Sequence, residues 1–107
     1  MGSRRTIYSR MEIKMLIRLT EAYQIPSSVN YGLREISVNP ANVVAIRAED
    51  SARQALVEGR MPEGISQSAH FSRVYLNTGG NGLNVLVVGD QSTLEKKFSS
   101  SKQLLRD

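Results

Sequence analysis

The sequence predicts a small α+β domain, a mostly antiparallel five-stranded sheet with two short helices. Three observations carry this expectation. Apolar and polar residues alternate in five short runs. The period lengthens to that of a helix in two segments that open on capping-box spacing. Clusters of Gly, Pro, Asn and Ser separate the runs. At 107 residues, 40% hydrophobic and 22% charged, the chain has the length and composition of one folded domain.

The elements follow in order. In residues 14–22, Met15, Ile17 and Leu19 alternate with Leu16, Arg18 and Thr20, as in a strand with one buried face. Residues 24–32 hold Pro26, two serines, Asn30 and Gly32 and read as a loop. Residues 33–39 form a second short strand with Ile36 and Val38 on one face, and Pro40 stops it. Residues 43–48 form a third, with Val44 and Ile46 inward and Arg47 outward. Ser51 and Gln54 stand at capping-box spacing, Ala52, Ala55 and Leu56 share a helical face, and Gly59 suits the C′ position. This helix and the loop after it, to Ala69, form an insertion of about 20 residues, long enough to imply a role in binding or assembly. Residues 71–77 form the fourth strand. Val74 and Leu76 lie on one face, and Phe71, Arg73, Tyr75 and Asn77 on the other. Residues 78–82 supply a Gly- and Asn-rich hairpin turn, and residues 83–88 the return strand. A second capping box, Ser92 to Glu95, opens an amphipathic helix with Leu94, Phe98 and Leu105 toward the sheet.

The apolar face comprises Ile17, Leu19, Ile36, Val38, Val44, Ile46, Val74, Leu76, Val85 and Val87. That is a small core for a chain of this length, so a homo-oligomer is expected, with the inserted helix near the contact.

Composition excludes several chemistries. There is no Cys, and His70 is the one histidine, so thiolate sites, cysteine nucleophiles and multi-histidine metal sites within one chain are ruled out. No GxSxG, HExxH, P-loop or paired-carboxylate box is present, and no spacing places His70 in a triad. The expectation is a non-enzymatic protein without a cofactor. No apolar run reaches the roughly 20 residues of a membrane helix, and residues 1–10 lack a secretory h-region, so a cytoplasmic protein without a membrane partner is expected.

The net charge is +4, and the excess sits at the start. Arg4, Arg5, Arg10, Lys14 and Arg18 oppose Glu12 alone, while the remainder is balanced. Residues 1–10 read as a flexible basic arm or a leader, with Met11 an alternative initiator and 11–107 the domain. Such an arm can grip nucleic acid. Arg18, Arg47, Phe71, Arg73 and Tyr75 all fall opposite the apolar residues of their strands. Arginines for phosphate and aromatic rings for a base suit a nucleotide; the same residues equally suit the solvated outer face of a one-sided sheet. Gly79, Gly80, Asn81 and Gly82 read either as an anion nest or as a plain hairpin turn.

Two resemblances rest on these residues. "ISVNPANVVAI", "RVYLNTGGNGLNVLVV" and "STLEKKF" are similar in order to the small flagellar FlbD-type proteins, over about half of the chain, with no counterpart there for residues 50–69. That likeness implies a protein-interaction module, while the basic arm and the aromatic–arginine face suit the alternative of a nucleic-acid-binding regulator. The aromatic–hairpin–asparagine relation of Phe71 and Asn81, with Arg18 and Arg47 on the early strands, resembles the phage anti-Thoeris sponge family that sequesters cyclic ADP-ribose signals. The second resemblance implies a small, cytoplasmic, non-enzymatic homo-oligomer whose ligand pocket forms between protomers. Phe71 would stack adenine, Asn81 would hydrogen-bond a ribose hydroxyl or the base edge, and Arg18, Arg47 and a C-terminal arginine, Arg106, would hold the phosphates. Arg73 joins this set from the sheet face.

Overall fold

The structure, a computed structural model, describes residues 16–106, with side chains to residue 100. The expected basic arm at 1–10, the start of the first strand at 14–15, and the side chains of Leu105 and Arg106 lie outside the described residues. Five strands form one sheet: β1 (Ile17–Gln24), β2 (Tyr31–Val38), β3 (Val43–Ala48), β4 (Phe71–Thr78) and β5 (Asn81–Val88). Helix α1 (Asp50–Val57) lies between β3 and β4, and α2 (Gln91–Arg106) follows β5. The sheet order is β2-β1-β5-β4-β3, and every neighbouring pair is antiparallel. The α+β class expected from the alternation is therefore the class observed.

A short 3-10 turn, Pro40–Asn42, joins the two edge strands. Asn39 caps it through Oδ1, which accepts from Ala41 N at 2.9 Å, and Asn42 N donates to Asn39 O at 2.9 Å. In a flat sheet the edges would stand four spacings of about 4.8 Å apart, roughly 19 Å. So tight a link cannot cross that gap, and the sheet curls. The turn packs on α2 and β4, with Pro40 buried.

Both faces are covered, each by one helix. On the concave face Leu19, Val38, Val74, Leu76, Val85 and Val87 pack against Leu94 and Phe98 of α2. On the convex face Ala22, Phe71 and Leu86 pack against Ala52, Ala55 and Leu56 of α1, with Met61 from the following loop. The central strand β5 thus buries Val85, Leu86 and Val87 in succession. Burial on both sides corrects the expectation of a one-sided sheet. The apolar side of α1 is committed to its own sheet.

Local differences have physical causes. Gly32 belongs to β2, not to a loop. The Tyr23 ring lies over it, and a Cβ there would meet the ring at 2.7 Å. Val44 points outward and is 65% exposed, because the β3–β4 register shifts between Val43 and Ala45 and Val44 is the extra residue. Val43 takes the core place expected for Val44. Ser51 does not cap α1: Glu49 is the N-cap residue, and Ser51 Oγ donates to its carboxylate at 2.6 Å. Gly59 closes α1 as expected, at φ 75°, with Gly59 N bonding Leu56 O and Arg60 N bonding Ala55 O, the Schellman pattern. The cap of α2 is Asp90 and not Ser92. Asp90 Oδ1 accepts from Thr93 N at 2.8 Å, and that bond holds the carboxyl below its usual range.

Candidate functional site

The convex face is covered by α1 only in part. Across β3, β4 and β5, toward the β4–β5 hairpin, it is open. Strand alternation and register place Arg47, Arg73, Tyr75, Asn77, Gly82 and Asn84 on this side, with Arg47 opposite Arg73, Tyr75 opposite Asn84 and Asn77 opposite Gly82.

Arg73 is held rigidly. Its Nε donates to Glu49 Oε1 at 3.1 Å and its Nη1 to Asn84 Oδ1 at 2.7 Å. The Ser51 hydroxyl bond, followed by that from Arg73, lowers the Glu49 carboxyl below its ordinary value, and the Arg47 charge adds to the effect. Arg47 lies 5.9 Å from the Tyr75 ring centroid and, among the described residues, makes no ion pair. Two guanidiniums therefore face one carboxylate, and the patch retains an excess positive charge. Beside it is an open concavity of about 310 Å³ with Val44, Tyr75, Asn77, Gly82, Leu83 and Asn84 in its lining.

The pH dependence of this cluster has a definite sign. A carboxyl whose folded pKa is depressed contributes its full stability above the ordinary carboxylate range and loses it as pH falls through the folded value. The melting temperature should fall between about pH 5 and pH 3, and Glu49→Gln should flatten part of that dependence. Identical profiles for the two proteins would show that Glu49 is not clamped by Ser51 and Arg73.

The other expected site residues do not join this cluster within one chain. Phe71 shares the convex face, but α1 lies over it and it is 2% exposed, so its ring cannot stack on a base from solvent. Arg18 is on β1, three strands from Arg47, or about 14 Å along the sheet. Its guanidinium stands 3.8 Å from the Glu35 carboxylate, both side chains largely exposed. Asn81 sits at the hairpin end, opposite Thr78. Seven residues of β4 separate Phe71 from Thr78, roughly 23 Å of strand, so Phe71 and Asn81 occupy opposite ends of the β4–β5 hairpin. Gly79 and Gly80 have φ 68° and 99° and make the tight turn; Gly80 N donates to Asn77 Oδ1 at 3.2 Å, so that donor is not free for an anion. His70 is exposed, and no cluster of His, Asp or Glu suited to a metal occurs among the described residues.

Glu49 and Asn84 are additions to the site that sequence reading did not single out, and Gly82, read from the sequence as part of an anion nest or a hairpin turn, lies instead in the strand beside Tyr75. A signal for two of them existed. A two-residue turn at Gly79-Gly80 fixes the hairpin register, which sets Asn84 against Tyr75 and Gly82 against Asn77. Compared with known proteins, the chain matches no family model, no curated relative and no solved structure. Among the described residues no helix is long and apolar enough to cross a membrane.

Proposed function

We propose that this protein is a non-enzymatic sponge that binds a cyclic nucleotide signal of the cyclic ADP-ribose type, as phage anti-defence proteins do in the host cytoplasm. The observation that carries the reading is the Arg47–Arg73 pair beside Tyr75 on an open face: phosphate-binding forks next to a ring able to stack on a base. Arg47 takes a phosphate, Arg73 supports it from its clamp, and Tyr75 assumes the stacking role that Phe71 cannot fill while α1 covers it. Arg18 and Asn81 enter such a site from another copy of the chain, in keeping with a homo-oligomer whose pocket lies between protomers. No cofactor takes part.

The test is recovery of the ligand. The protein is incubated with cyclic ADP-ribose, the mixture is filtered, and the retained protein is heat-denatured. Depletion from the filtrate followed by release of the intact compound is the expected result. Release of a product would indicate an enzyme, and no depletion would rule out the sponge.

A second reading is favoured by a separate observation. Three arginines lie over tyrosine rings, Arg34 on Tyr23 at 4.3 Å, and Arg47 on Tyr75 and Arg60 on Tyr31 at 5.9 Å each. Energetically significant pairs of this kind average roughly one per 70–80 residues. Of these, the Arg47–Tyr75 pair, whose arginine makes no ion pair among the described residues, suits single-stranded nucleic acid, whose binding would weaken steeply with salt.

A further inference from the structure

Gly82 has no backbone reason to be glycine. Gly79 and Gly80 adopt left-handed φ angles, but Gly82, the second residue of β5, does not, and a Cβ there would meet nothing within 4 Å. Glycine in a strand weakens it, and its use often marks a place where a ligand approaches the backbone closely. The space in question is the concavity beside Tyr75. Val44, 65% exposed, adds apolar surface to it.

The polar groups around it are of one kind. Asn77 Oδ1 accepts the Gly80 amide, and Asn84 Oδ1 accepts from Arg73. These bonds fix both amide orientations, because an N–H donor requires the oxygen. Each side chain therefore has its NH₂ group left over, and among the described residues neither group has an acceptor. Both asparagines lie on the face of Tyr75. The rim thus offers two donors around an aromatic ring, which suits a flat ring whose edge carries acceptors.

We infer that the concavity at Gly82 seats a purine base against Tyr75, with the amides of Asn77 and Asn84 donating to its ring nitrogens or carbonyl. This rests on the nucleotide reading above and assigns the base end of that ligand. Gly82 keeps the seat open, Val44 closes one side, and Arg47 lies within reach of the attached phosphate.

The test uses Gly82→Val with two probes, AMP and cyclic ADP-ribose. Valine suits extended backbone and meets open space, so the variant should melt at or above the wild-type temperature, while its methyl groups fill the seat. In wild type, AMP should shift the NMR signals of the Asn77 and Asn84 side-chain amides and of the Gly82 backbone amide. In Gly82→Val the shifts of the two asparagine amides should vanish, and affinity for both probes should fall roughly ten- to hundredfold, the scale of a lost base stack. AMP titrating these amides with no binding of cyclic ADP-ribose would retain the seat and reject the sponge. Cyclic ADP-ribose binding wild type and Gly82→Val equally would retain the sponge and reject the seat. Shifts mapping elsewhere, or none with either probe, would overturn the seat.

Discussion

Phe71→Ala is expected to cost about 3–5 kcal/mol of folding stability, the range for removing a buried phenylalanine. The ring is 2% exposed and packs among Ala22, Ala52, Ala55, Leu56, Met61 and Leu86. Three of those neighbours are alanines, whose side chains end at Cβ and cannot turn inward to fill the void, so the cost should lie toward the upper end. Equilibrium urea denaturation provides the measure: the midpoint should fall with little change in slope. Phe71→Leu, which retains most of the volume, should recover much of the loss. A Phe71→Ala protein that unfolds at the wild-type midpoint would place the ring outside the core. Because this variant is destabilised, any loss of ligand binding must be read against its folded fraction.

Arg47→Ala should do the reverse, leaving the fold and weakening the ligand. The side chain is exposed and makes no ion pair among the described residues, and its cross-strand neighbour is the like-charged Arg73. Removing it relieves a repulsion between directly opposed cations and gives up weak attractions to Glu49 and the Tyr75 ring, so melting should be nearly unchanged. A hydrogen bond to a charged group is worth about 1.5–3 kcal/mol, and cyclic ADP-ribose affinity should therefore drop by roughly ten- to more than a hundredfold. The loss should be greater at low salt, where the charge is less screened. Arg47→Lys keeps the charge but not the planar fork and should fall between the two. Calorimetric titration of the three proteins, with melting curves beside each, decides the matter. Equal affinities would remove Arg47 from the site.

Alternation in the sequence located the strands well because its period of two is a direct imprint of burial on one side. Ile17, Leu19, Ile36, Val38, Ile46, Val74, Leu76, Val85 and Val87 all lie in or against the concave-face core. Alternation says which residues share a side but not what covers it. Phe71 was placed correctly opposite Val74, yet whether that side meets water depends on where α1 docks, and nothing local encodes this. Val44 shows a second limit, since one extra residue reverses the alternation without any change in composition. The helix caps are less legible for a different reason: Ser51 and Ser92 have cap chemistry, yet the cap positions fall on Glu49, whose side chain makes no capping bond, and on Asp90, and alternation does not locate them. Arg47, Arg73 and Tyr75 were brought together because they share one register. Alternation puts Arg18 on the same side but gives no distance across the sheet, and Asn81 joins the group through resemblance alone.

Val44 has an evolutionary implication. Its neighbours Val43 and Ala45 stand opposite Leu76 and Tyr75, which are consecutive residues. Deleting Val44 would restore an uninterrupted ladder with Val43 and Ile46 still in contact with the core. One codon therefore separates a chain that has this wall beside Tyr75 from one that lacks it. Were the concavity to seat a ligand as proposed, a single in-frame insertion or deletion would add or remove that wall with the hydrophobic interior passed on intact.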